Sequence, residues 1–70
     1  MPNITSPMVA KIFRIECTVG QQVNEGDVVV VLESMKMEMP VEAEDGGVVQ
    51  EIKVKEGQPV AEGDIIAIVG

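Results

Sequence analysis

The chain contains no histidine, tryptophan or tyrosine, and only one phenylalanine, Phe13, and one cysteine, Cys17. Without histidine there is no side chain that titrates near neutral pH to serve as a general base, and no Ser-His or Cys-His nucleophilic pair. A single cysteine makes an internal disulfide impossible, and without histidine no zinc ligand set can be assembled either. One aromatic ring offers no platform for stacking bases. Cations are also scarce, with five Lys and Arg against twelve Asp and Glu and a net charge of −7. A nucleic-acid surface needs clustered positive charge, so that partner class is excluded. Long apolar runs are missing as well, the longest being Val28 to Leu32, far short of a membrane span. The first thirteen residues, MPNITSPMVAKIF, have neither a cationic start nor a continuous apolar stretch, so they do not read as a signal peptide. The lone cysteine suits a reducing compartment, and the cytoplasm is the expected location. The remaining reading is a single small domain, residues 1–70, that is held together by packing alone and is not itself an enzyme.

The chain does contain a copy of itself. Gly20-Gln21-Gln22-Val23-Asn24-Glu25-Gly26-Asp27 recurs 37 positions later as Gly57-Gln58-Pro59-Val60-Ala61-Glu62-Gly63-Asp64, with six of the eight pairs identical. The same offset pairs Ile12 with Val49, Ile15 with Ile52, Cys17 with Val54, Val29 with Ile66 and Val31 with Ile68. The half-repeats run over approximately residues 8–33 and 45–70.

Each half is rich in β-branched residues and punctuated by Gly, Asn, Asp and Pro every few positions, which is the pattern of short strands. The spacing Ile12, Ile15, Cys17 and its copy Val49, Ile52, Val54 breaks alternation by one residue, which predicts a bulge in each half. No segment holds a helical period over a helix length. Neither half can bury a core alone, but packed face to face they can. The expected fold is therefore all-β: a flattened barrel or sandwich of two antiparallel sheets with an approximate internal two-fold. The Glu-Gly-Asp segments should form equivalent tight turns. Equivalence across the repeat also makes Asp27 and Asp64 turn residues rather than paired catalytic acids, and Cys17, whose partner is Val54, a small buried hydrophobe.

One segment, residues 33–40, lies outside the repeat: Glu33-Ser34-Met35-Lys36-Met37-Glu38-Met39-Pro40. Strand-like sequence on both sides makes it a hairpin tip or a sharp connection, from which Lys36 would project. If the segment were extended throughout, Met35, Met37 and Met39 would share one side. Met39 should pack inward, whereas Met35 and Met37 should leave a small apolar surface open for another protein to read.

The Glu33-Ser34-Met35-Lys36-Met37 core, set between two glycine-punctuated halves, resembles the acceptor region of the biotinyl (biotin/lipoyl) attachment domain family, and the resemblance runs from Ser6 to Val69. Departures occur at Val9-Ala10, where the family usually has Pro-Gly, and at Glu44, where proline is common. The stretch from Cys17 to Val23 is too short for the protruding loop of one bacterial subfamily. The resemblance implies two four-stranded antiparallel sheets and covalent biotin on Lys36. Met35 and Met37, with Glu33 and Ser34 before them, would be the recognition residues. It further implies three partners: a biotin protein ligase that acylates the lysine, a biotin carboxylase that loads a carboxyl group, and a carboxyltransferase that unloads it in a biotin-dependent acyl-CoA carboxylase. A lysine amine is protonated in neutral water and needs an activated acyl donor, and the ligase supplies one. Two rivals remain. One is a lipoyl carrier of a 2-oxo acid dehydrogenase type of complex, whose sequences usually carry Asp before the lysine and a small residue after it. The other is an unmodified β-module used only for assembly.

Overall fold

A computed structural model describes residues 3–70, and every regular element in that span is a strand. The elements are β1 (Asn3–Thr5), β2 (Ala10–Ile15), β3 (Gln22–Val23), β4 (Val28–Ser34), β5 (Met37–Glu42), β6 (Gly47–Ile52), β7 (Pro59–Val60) and β8 (Ile65–Val69). They form two four-stranded antiparallel sheets, ordered β1-β8-β6-β3 and β5-β4-β2-β7. An offset of 37 residues carries β2 onto β6, β3 onto β7 and β4 onto β8. It also carries β1 onto residues 40–42 of β5, so the structural equivalence starts upstream of residue 8. Each sheet takes two strands from each copy. The halves are thus interlocked rather than stacked one per sheet, and neither could keep its hydrogen-bond ladder without the other.

The irregularities repeat too. The register slips between Ile12 and Arg14 against β4 and between Val49 and Glu51 against β8, leaving Phe13 and Gln50 as the bulged residues the sequence spacing predicts. Two further slips, at Val29 and Ile66, are likewise 37 residues apart, and both side chains are fully buried. At the Glu-Gly-Asp turns, Gly26 and Gly63 take φ of 90° and 88°, which other residues rarely adopt. The Asp27 carboxylate accepts the Asn24 N–H at 2.8 Å and that of Asp64 accepts the Ala61 N–H at 2.8 Å. Both acids are committed to holding their turns.

The core is aliphatic throughout: Ile12, Val23, Val29, Val30, Leu32 and Val49, with Ile66 and Val69, are essentially sealed from solvent. The one aromatic ring is outside it. Phe13 sits on a bulge, 39% exposed, with the Arg14 guanidinium 5.4 Å from its centroid. Cys17 is buried, as its pairing with Val54 requires, and burial pushes its thiol above the ordinary value of 9.0. A thiol held neutral by the fold stabilises the folded state only while the unfolded chain also keeps that proton. Stability should therefore fall as pH climbs past the unfolded thiol's value. We expect Ellman's reagent to titrate Cys17 at least tenfold more slowly in native than in denatured protein. Cys17→Val should remove the cysteine's share of the alkaline loss, read as Tm at pH 8 and pH 10.

Candidate functional site

The 33–40 segment forms the hairpin between β4 and β5. Glu33 lies opposite Glu38, and Ser34 opposite Met37, which leaves just Met35 and Lys36 to make the turn. Two-residue connections between antiparallel strands favour the mirror-image turns whose twist matches the strands, and one of these, type I′, takes positive φ at both central residues. Met35 and Lys36 do so, at 52° and 66°. They are the only residues other than glycine with positive φ in the described chain. Asparagine and glycine accept this conformation readily, whereas an ordinary L-residue pays roughly 1–2 kcal/mol. The strand registers on either side, which are anchored by buried residues such as Leu32 opposite Met39, hold the tip in that strained form.

The turn revises the expected side-chain pattern. Met35 is not in extended chain, so only Met37 and Met39 share a face of β5. Met39 is half-buried, and Met35 and Met37 are open to solvent at 92% and 65% exposure. Lys36 is exposed, and its amine makes no hydrogen bond or ion pair among the described residues, whose two salt bridges are Arg14–Glu16 and Lys53–Glu51. Glu33 and Ser34 are half-buried in the last turnless stretch of β4, with Lys11 of β2 opposite Glu33 on the other side. Glu33 therefore sits between a cation and a second carboxylate, Glu38, about one strand spacing away on each side.

Strand β5 then leads away from the tip. It delivers Glu44 and Asp45 to a small cavity of about 70 Å³ shared with Asn3 and Val69. With the six residues of β5 spanning about 20 Å, the tip and the described chain ends occupy opposite poles of a body 31 Å long. The site is thus one unencumbered primary amine at the end of a stiff hairpin, bracketed by two exposed thioethers.

Residues 2–69 match the biotin/lipoyl attachment family described as "Biotin-requiring enzyme". The chain belongs to that family. A biotin/lipoyl attachment protein of Bacillus subtilis is 40% identical over 64 residues, covering 91% of this chain and 88% of the relative. The biotinylated protein TB7.3 homolog of Mycobacterium leprae is 39% identical over 67 residues, covering 96% and 94%. The dihydrolipoyllysine-residue acetyltransferase component of the pyruvate dehydrogenase complex of Cupriavidus necator is 40% identical over 68 residues, covering 97% of this chain but 12% of the relative. Among solved structures, Kluyveromyces lactis urea carboxylase superimposes with a TM-score of 0.92 at 33% identity, over 99% of this chain and 6% of that one. The two small relatives are nearly all attachment domain, whereas in the larger proteins the same domain is a minor part. Membership of the family accounts for the strand order and the central hairpin.

The positive-φ turn was hidden in the sequence. Met-Lys carries none of the Asn-Gly signal for such a turn, and only the pairing of Ser34 with Met37 reveals that two residues remain to make it.

Proposed function

We propose that Lys36 is the attachment lysine, that the group it carries is biotin, and that the domain carries a biotin-borne carboxyl group from a biotin carboxylase to a carboxyltransferase. The supporting observation is the exposed, unpaired Lys36 amine on a two-residue turn between two exposed methionines. Acylation forms an amide between Lys36 Nζ and the carboxyl carbon of an adenylate-activated biotin. AMP leaves, the amine loses its protons, and the chain's net charge goes from −7 to −8. A biotin protein ligase provides that activated donor. Tethering then raises the local concentration of the group at each partner to the order of millimolar. The hairpin fixes the root of the arm while the arm itself remains free to move. An acyl-CoA carboxylase in a reducing cytoplasm is the context we favour.

Lipoyl attachment is the second reading, favoured by the relative from the pyruvate dehydrogenase complex. Met35 and Met37 stand where lipoyl sequences usually carry Asp and a small residue, which supports biotin. Intact mass separates the two. Co-expression with a biotin protein ligase should add one biotin, and co-expression with a lipoate ligase should add none. Lys36→Ala should abolish streptavidin capture, while Lys11→Ala and Lys53→Ala should retain at least 80% of it (about 0.1 kcal/mol or less). Lipoyl addition without biotin addition would overturn the assignment, and full capture of Lys36→Ala would remove Lys36 from it.

A further inference from the structure

We propose that Met8 and Val9, on the loop leading into β2, form a second apolar contact for the ligase that acylates Lys36. This extends the recognition surface from the hairpin tip onto the neighbouring strand, and it rests on the attachment role given to Lys36 above.

The internal repeat supplies the control. At the offset of 37 residues, Met8-Val9 corresponds to Asp45-Gly46. Both pairs lead into equivalent strands, β2 and β6, so the fold itself accepts a polar, side-chain-poor pair at this position. Yet the first copy carries two apolar side chains there and leaves them in solvent, Val9 at 70% exposure and Met8 at 36%. Packing does not explain them.

The two positions differ in what lies beside them. Lys11 of β2 is opposite Glu33 of β4, two residues before Met35, so Met8 and Val9 enter the sheet at the end where β4 turns over into Met35 and Lys36. Asp45 instead faces the cavity at the far pole, with Asn3 and Val69. The first copy also anchors this loop in a way the second does not. Ser6, 2% exposed, donates its hydroxyl to the Met8 carbonyl at 2.6 Å and accepts the Met8 N–H at 3.5 Å. Its counterpart, Ala43, has no hydroxyl to do the same. An apolar pair on a tethered loop is presented with little ordering cost when a partner covers it.

The occupant follows from geometry. An enzyme that joins an acyl group to Lys36 must bring its active site to bonding distance of Nζ, so its surface must surround the tip. Specific protein contacts bury about 800 Å² per partner, far more than Met35, Lys36 and Met37 offer. The footprint must spill onto neighbouring residues, and Val9, the most exposed apolar side chain beside the hairpin, and Met8 next to it lie within its reach. With Met35 and Met37 they form a collar of flexible and aliphatic side chains around the amine, suited to an apolar rim on the ligase.

The test transfers the second copy's residues onto the first. Met8→Asp with Val9→Gly should keep Tm within a few degrees of wild type while lowering kcat/KM for biotinylation by a purified biotin protein ligase at least tenfold, mostly through KM. The reciprocal pair, Asp45→Met with Gly46→Val, puts an apolar patch at the far pole and should leave the rate unchanged. Should the first pair unfold the domain, Val9→Ser alone is the readout, with KM raised at least threefold. A rate within twofold of wild type for the folded first pair, or for Val9→Ser in its place, overturns the proposal. Wild-type protein that accepts no acyl group from either ligase overturns the Lys36 reading itself, and that result is visible before any variant is compared.

Discussion

Leu32→Ala lowers the unfolding free energy by about 2–5 kcal/mol, the cost of a lost aliphatic side chain plus the cavity left behind. Leu32 is fully buried at the middle of its sheet, opposite Ile12 on one side and Met39 on the other. The surrounding core is valine, isoleucine and alanine, whose stiff, short side chains cannot swing in to fill the space. Among the described residues the one aromatic ring lies outside the core, and a single cysteine allows no internal disulfide. At about 0.05–0.15 kcal/mol per residue, a chain of this size has only some 4–10 kcal/mol in total. On the order of half of the stability therefore rests on this one side chain. With a shift of roughly 4–8 °C per kcal/mol in a domain this small, Tm should fall by about 10–30 °C. Val19→Ala, at a 62% exposed site, should change Tm by less than about 3 °C, since surface substitutions stay near 0.5 kcal/mol. Thermal unfolding followed by far-UV circular dichroism decides the matter. A drop below 5 °C for Leu32→Ala would mean that the core is looser than its burial indicates.

Much of this fold can be read directly from the repeat. Because six of eight residues recur at a fixed offset, every local feature appears twice, and a bulge or turn inferred in one copy is checked by the other. The break in alternation at Ile12, Ile15 and Cys17 led to the bulge at Phe13, and its copy led to the one at Gln50. The acidic turn residues announced themselves as structural for the same reason. What the repeat could not show was how the copies combine. Periodicity records which face of a strand is buried and says nothing about which strand pairs with it, so the exchange of strands between sheets became visible only in the coordinates. Site legibility divides along the same line. Lys36 stood out because it lies where the copies differ, whereas Met8 and Val9 lie inside the repeat, and Val9 drew notice only as a departure from the family pattern. Only their exposure, set against Asp45 and Gly46, gives them a meaning.

Replacing Met35-Lys36 by Asn-Gly raises stability while removing the proposed attachment lysine. Both positions hold positive φ, 52° and 66°, which Asn and Gly adopt with little strain. Relief at two positions amounts to about 2–4 kcal/mol, and the extra freedom of glycine in the unfolded chain takes back up to about 1 kcal/mol. The net gain should be about 1–4 kcal/mol, or a Tm higher by roughly 5–30 °C. Little burial is lost to offset it, because Met35 is 92% exposed and Lys36 lies in solvent. Met35→Asn alone keeps the lysine and should give about half the gain, so the two variants separate relief of strain from loss of the amine. An unchanged or lower Tm for Asn-Gly would show that the hairpin is not strained at its tip. A higher one locates strain at this turn: Lys36 occupies a position whose backbone suits glycine, and the neighbouring strands hold it there.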